Sequence, residues 1–453
     1  MKKLSGTKWG ANSKILKQVY SGTVRPQLEY GATSWGTAAK TNTNKLNKVQ
    51  NASLRIITGA MKTTPINEME KTAKLQSLED RRKEKSLKQG EKMKRLPSHP
   101  LHKKFQEQTK NRIKRLSPNH LYKNNQKELK DALPTEERDI EVLQDYEEWK
   151  KKEIDIKISI PGIESKADHS ETEIRNLTLD YLHTNYPSET YTYVYTDGSA
   201  EEAIRNGGGG VHVKYANGQT ENHSFSTGKN STNYRAEASA ILFAAKTLNH
   251  SEHISDSTVI LTDCKSVLQS LMSSEENQIL RDTNCELHSL QQKTSLTLQW
   301  IPSHCGIAGN EKADKLSKSG STMNQESNPV NYKEAKTIIK STFQENWKKH
   351  HNIENKDDLE NLKRNDQVII FRLRTGHCRL LSHLHRLKIS HTDECPCGTG
   401  PQTPEHLLQY CPTYKTQRED TWKGEVGLEE KLYGTAADLQ RTAEFVKLTG
   451  LTI

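Results

Sequence analysis

Apolar positions recur at helical spacing near the start of the chain. Ile15, Leu16, Val19 and Tyr20 form one such run, and Leu46, Val49, Leu54 and Ile57 form another after a turn-rich stretch. The pattern predicts a helical segment over residues 1–95. From 96 to 188 the sequence is polar, and Pro97, Pro100, Pro118, Pro134 and Pro161 interrupt short helical patterns, which predicts a partly helical linker with little core. At Tyr191 the period shifts to two. YTYVYTDGS, GGGGVHVKYA and QTENHSFST, separated by turn residues, predict three strands in a meander. An alanine-rich helix from Asn233 to Leu248 follows, then a strand (TVILTD), two more helical patterns, a strand (LTLQWIP), a loop and a last helix opening after Asn310. The stretch 189–322 therefore reads as a mixed α/β domain. Residues 323–453 are again helical and polar, with a compact Cys/His cluster at 395–411. No internal repeat is present.

Composition sharpens this division. At 453 residues, with 32% hydrophobic and 27% charged residues, the chain exceeds one compact core and predicts two or three folded units joined by connectors. A formal charge of +10 favours a polyanionic partner, because neutralising phosphates releases counterions. The segment 81–95, RRKEKSLKQGEKMKR, carries eight Lys or Arg against two Glu and suits either a solvated helix face or a phosphate-contacting surface. No run of 18 apolar residues occurs and the opening MKKLSGTKWG lacks an apolar secretion core, so the expectation is a soluble intracellular protein, nuclear or cytoplasmic, without membrane contact. Seven scattered cysteines argue against a disulfide framework. Oligomeric state is not legible.

Four acids stand where strands and helices of the α/β segment end or begin: Asp197, Glu237, Asp263 and Asp314. Asp263 shares a strand face with Val259 and Leu261, and Glu237 falls in the apolar arc of its helix with Ile241, Ala244 and Leu248. Carboxylates converging in such a place repel one another unless divalent cations neutralise them, and oxygen-only ligands select Mg²⁺ or Mn²⁺. Two such ions can activate water on one side of a phosphate and stabilise the leaving oxygen on the other. Taken singly, each acid has a plain structural reading as a turn residue, a surface charge or a helix-terminal acid.

Together, YTDGSA (195–200), STNYRAEASAILFA (231–244), ILTDCKSVLQSL (260–271) and WIPSHCGIAGNEKADKLSK (300–318) resemble ribonuclease H across nearly the whole segment. The resemblance implies a mixed five-stranded sheet flanked by helices and a hydrolase that cuts the RNA strand of RNA–DNA hybrids with two metal ions. It assigns metal ligation to Asp197, Glu237, Asp263 and Asp314. It also implies proton transfer or product release by His304, on the loop ahead of Asp314, and substrate contacts by Gly198, Ser199 and Asn233. Some members of that family insert a basic handle before the last strand; here only about thirty residues with few cations fill that interval, so hybrid grip would come from elsewhere, with residues 81–95 as the candidate. The rival reading is a catalytically silent binding module of the same fold. A DNA-cutting transposase or integrase ranks below both.

The flanks carry a further resemblance. VYSGTVRPQLEYGATSWG (19–36) and KLNKVQNASLRIITGAMKTTP (45–65) resemble the end of a non-LTR retrotransposon reverse transcriptase beyond its palm, and FRLRTGHCRLLSHLHR (371–386) resembles the tail that follows ribonuclease H in such elements. The only Asp-Asp pair, Asp357 and Asp358, lies in a polar run without the aromatic residue of a polymerase motif, which argues against DNA synthesis. CPCGTGPQTPEHLLQYCP places Cys395, Cys397, His406 and Cys411 in the order of a three-thiolate, one-imidazole structural zinc site, with Cys378 and His391 as competing ligands.

Overall fold

The computed structural model describes residues 1–106, 117–129, 132–134, 140–142, 154–163, 169–273, 277–353 and 357–453. They divide into two compact units. One unit is built on a six-stranded mixed sheet. In chain order its elements are β1 (Asp155–Lys157), α1 (Glu171–Asn185), β2 (Tyr191–Glu201), β3 (Arg205–Lys214), β4 (Thr220–Gly228), α2 (Asn233–His250), β5 (Ser257–Thr262), α3 (Lys265–Met272), α4 (Gln278–Leu290), β6 (Ser295–Trp300) and α5 (Ala308–Ser321). The sheet order is β1-β6-β5-β2-β3-β4. β2, β3 and β4 form the antiparallel meander, while β5 pairs parallel to β2, β6 to β5 and β1 to β6.

The interior strands β2 and β5 are covered on both faces, which is why they read as near-continuous runs of β-branched and aromatic residues. On one face Val194, Val211, Val213 and Ile260 pack with Ala240, Ile241, Ala244 and Leu248 of α2 and Leu287 of α4. On the other, Tyr193, Val259 and Leu261 pack with Ile174 and Leu182 of α1 and with Ile301 and Ile307 around β6. β4, rich in Thr, Ser, Asn and His, is the half-exposed edge.

Two expectations change here. The sheet has six strands rather than five: β1, from the stretch read as linker, aligns Asp155 with Thr297, and the Thr297 hydroxyl donates to the Asp155 carboxylate at 3.0 Å. Three residues are too few for a period-two pattern to register. Within the same stretch α1 forms behind Ser170, whose hydroxyl accepts from the Glu173 amide, and buries Ile174 and Leu182. Residues 107–116, 130–131, 135–139, 143–153 and 164–168 of the same stretch lie outside the described residues.

The second unit joins the helical segments from both ends of the chain, which the sequence reading had kept apart. Leu16, Tyr20, Leu54, Ile57 and Met69 share one buried cluster with Ile370, Phe371, Leu407, Leu439 and Phe445. Arg364, at the start of the helix Arg364–Thr375, donates to the carbonyls of Ile56 and Ile57 at 2.6 and 2.5 Å, so it satisfies acceptors orphaned at the end of the helix Lys40–Thr58. Arg372 donates to the carbonyls of Gly59 and Ile453 at 2.9 and 2.6 Å. Among the described residues, no helix is long and apolar enough to cross a membrane.

Candidate active site

Parallel pairing of β2 with β5 aligns Thr196 with Thr262, so the next residue on each chain, Asp197 and Asp263, stand side by side. Glu237 reaches them from α2, whose first turn is set by Thr232 accepting the Arg235 amide. The approach depends on Gly198: a Cβ there would stand 2.1 Å from the Glu237 nitrogen, so only glycine lets the strand lie against this helix backbone. Carboxylate oxygens of Asp197, Glu237 and Asp263 lie within 4.8 Å of one another.

The fourth acid comes from α5. That helix lies against β3 where side chains are missing; a Cβ on Gly208 would meet the Ser317 carbonyl oxygen at 2.1 Å, and one on Gly210 the Ala313 carbonyl at 2.1 Å. The close contact seats Ser317 over β2, where its hydroxyl hydrogen-bonds the Asp197 carboxylate and also reaches the Asp314 carbonyl at 2.9 Å. Asn310, buried at the start of α5, donates to the Asp263 carboxylate at 3.3 Å. Asp314 stands outside the tight group of three, and its carboxylate pairs with the exposed Lys318 at 2.7 Å.

Electrostatics follows from this packing. Burial, with the charges of Asp263 and Asp314 adding to it, pushes the Asp197 carboxyl up to about 6 against the opposing Ser317 hydrogen bond. Burial also drives Glu237 well above the usual carboxylate range, and Cys264, Asp197 and Asp263 add to it. One oxygen of Glu237, Oε2, is buried without a hydrogen-bond partner among the described residues. An unpartnered buried oxygen beside two carboxylates is a donor set awaiting a hard cation. The residues present therefore fit a divalent metal centre.

The other predicted residues are placed as follows. His304 is exposed on the loop between β6 and α5 with φ of +52°, and among the described residues no hydrogen bond ties it to the acids. Asn233 is exposed at the start of α2, one turn before Glu237. Ser199 has a buried hydroxyl oxygen without a partner. Sequence reasoning missed Ser317, Asn310 and the glycines of β3. Ser317 was findable, since it lies one helical turn after Asp314, but its link to Asp197 is purely tertiary.

The sequence model of the RNase H family matches residues 189–322. The chain is similar to ribonuclease H of Francisella tularensis subsp. novicida, at 32% identity over 135 residues, covering 27% of this chain and 85% of the relative. This chain belongs to the ribonuclease H family. Ribonuclease H of Orientia tsutsugamushi is another relative, 29% identical over 136 residues, covering 28% of this chain and 80% of that protein. Among solved structures, RNase H1 of the halophilic archaeon Halobacterium salinarum aligns with 29% of this chain and 96% of its own length, at 19% identity and a TM-score of 0.24. Each of these similarities covers less than a third of the chain.

The Cys/His cluster lies in the other unit. Ligand atoms of Cys395, Cys397, His406 and Cys411 are within 4.8 Å of one another. The Cys395 and Cys411 sulfurs are 3.7 Å apart, and Cys397 Sγ is 3.2 Å from His406 Nε2. A tight turn makes this possible, with the Cys395 amide donating to the Gly400 carbonyl and the Gly398 amide to the Cys395 carbonyl, both at 2.8 Å. Of the competing ligands, Cys378 is buried with its thiol directed at the Gly376 carbonyl, and His391 is exposed; neither joins the group.

Proposed function

We propose that residues 189–322 hydrolyse the RNA strand of RNA–DNA hybrids in a reaction dependent on two divalent ions. The observation that carries this reading is the convergence of Asp197, Glu237 and Asp263 with a Glu237 oxygen left unpartnered, in a member of the ribonuclease H family. Those three acids would hold the metal, with Asp314 joining once its pair with Lys318 opens. Bound Mg²⁺ or Mn²⁺ would neutralise the acids and stabilise the charge that builds on the scissile phosphate. The protein's own groups orient and select. Ser317 holds one face of Asp197 and Asn310 holds Asp263, so neither carboxylate rotates away from the pair. Asn233 offers an exposed amide to the strand being cut, and His304 offers an imidazole at the rim to move a proton to the departing oxygen.

A silent binding module is the rival reading, favoured by the Asp314–Lys318 pair, which keeps the fourth acid apart from the other three. Incubating the purified full chain with an end-labelled hybrid in Mg²⁺ separates the two. We expect internal cuts in the RNA strand that EDTA and Asp263→Asn both stop. Intact hybrid after incubation with folded wild type, or equal cutting by Asp263→Asn, overturns the enzymatic reading.

The resemblance of residues 19–65 and 371–386 to retroelement segments supports an origin in a non-LTR retrotransposon polyprotein. The Cys/His cluster is read as a structural zinc site. Zinc–sulfur bonds of about 2.3 Å at the tetrahedral angle set sulfurs about 3.8 Å apart, close to the 3.7 Å between Cys395 and Cys411. Elemental analysis of protein purified without added metal tests this: about one zinc per chain is expected, falling to none in Cys411→Ser, and a zinc-free wild type overturns it.

A further inference from the structure

Three of the eight cations in the segment expected to grip nucleic acid are engaged in ion pairs. In the helix Leu78–Arg95, Arg81 pairs with Glu29 at 2.9 Å and Glu84 at 2.8 Å, Lys85 pairs with Glu29 at 2.9 Å, and the buried Arg95 pairs with Glu91. A second concentration of positive charge lies toward the start of the chain. Residues 1–65 contain eleven Lys or Arg and a single acid, Glu29, so this stretch alone carries a net charge equal to that of the whole chain. That one acid is already engaged by Arg81 and Lys85.

Part of this charge gathers around an open cleft of about 630 Å³ in the unit built from both chain ends. Lys2, Arg55, Lys62 and Arg364 line it, together with Gly6 and Thr7, and among the described residues no acid does. Among the described residues none of the four cations makes an ion pair. Arg364 is spoken for by backbone carbonyls, yet its charge is uncompensated: burial and the neighbouring Arg372 depress its pKa to about 10. Arg55 reaches the carbonyls of Asn51 and Lys62 at 3.3 Å but leaves a buried Nε without a partner. A concave surface lined by one sign of charge focuses its field on an incoming ligand of the other sign. Beside it stands Trp9. Its indole lies against Gly6, where a Cβ would come within 2.6 Å of Nε1, and the residue is 60% exposed. An exposed indole next to unpaired cations offers a stacking face for a base whose phosphates are held nearby. Duplex bases are already stacked on their neighbours, so the combination suits an unpaired strand.

We propose that this cleft binds the phosphodiester backbone of a single-stranded nucleic acid, with Lys2, Arg55 and Lys62 contacting phosphates and Trp9 stacking on a base. The site belongs to a unit separate from the ribonuclease H fold and does not depend on the catalytic reading. Fluorescence anisotropy of a labelled oligothymidylate with the purified full chain, without added divalent metal and across a salt series, tests it. Lys2→Ala/Lys62→Ala removes two side chains that make no hydrogen bond or ion pair among the described residues. It should weaken binding roughly tenfold or more near 0.1 M salt and flatten the log–log salt slope by about 1.4. Trp9→Ala should weaken binding about fivefold or more. Lys340→Ala/Lys423→Ala, an exposed double control of equal charge change, should behave as wild type. Unchanged affinity and slope in the double variant, with its melting curve intact, overturns the proposal. So does equal competition by polyglutamate together with a silent Trp9→Ala, which would assign the cleft to acidic proteins instead.

Discussion

Asp197→Asn probes the centre of the site with almost no change of shape. The Asn carbonyl oxygen still accepts from the Ser317 hydroxyl, while the buried charge disappears. In the metal-free wild type the Asp197 carboxyl titrates near 6 rather than 3.8, mainly because it is buried, with Asp263 and Asp314 adding repulsion. A folded-state pKa raised above the unfolded value means that the native state binds the extra proton between the two. Stability is therefore full below pH about 4, falls as pH rises toward 6, and then levels off. Roughly two pH units at 1.36 kcal/mol each give a loss of about 3 kcal/mol. For a unit of this size that is a fall in Tm of about 6–12 °C. The assay is thermal unfolding of wild type and Asp197→Asn in EDTA at pH 4 and pH 7.5. The two proteins should melt together at pH 4, and at pH 7.5 the variant should be the more stable by that amount. Saturating Mg²⁺ should then recover the wild type, by about 2.7 kcal/mol at a hundredfold excess over Kd, and leave the variant nearly unmoved. A variant no more stable than wild type at pH 7.5, or one that Mg²⁺ stabilises equally, would refute the view that this carboxylate is strained for want of a cation.

Three further outcomes follow from the packing. Ser317→Ala removes the hydrogen bond that opposes the upward shift of Asp197, so the Asp197 titration, followed by side-chain carbonyl NMR in EDTA, should move to higher pH; a downward move contradicts the assigned role. Gly208→Ala drives a methyl into the backbone of α5 at Ser317 and Ser321 and should cost about 1–3 kcal/mol or more in urea unfolding, with reduced hybrid cleavage because Asp314 and Ser317 shift together. Leu54→Ala, at a fully buried position shared by both ends of the chain, should cost about 2–5 kcal/mol. Protease sites should then open in residues 343–453 as well as near the substitution, and cleavage confined to the first 86 residues would show that the segments fold apart.

The acids were legible because their local setting is wrong for solvent. Glu237 sits in the apolar arc of a helix, and Asp263 ends a run of buried β-formers. His304 and Asn233 were legible only through motif, and their exposed positions neither tie them to the acids nor keep them from substrate. In the basic run 81–95, counting cations did not show that Arg81, Lys85 and Arg95 pair with Glu29, Glu84 and Glu91.

Local sequence determined what periodicity and turn chemistry can express: the meander, the alanine-rich helix, the strand ending in Asp263, the Cys/His spacing. Tertiary structure alone decided the rest. Side-by-side placement of Asp197 and Asp263 is a matter of register between strands more than sixty residues apart. Contact between α2 and β2 needs a missing Cβ at Gly198, and Ser317 becomes a partner of Asp197 only because α5 lies against Gly208 and Gly210. Residues 16–75 share a core with residues 359–453, across the whole intervening fold. Local propensity acts over a few residues, whereas these pairings are set by burial and closest approach among segments that meet only when the chain has collapsed, so no local pattern carries them.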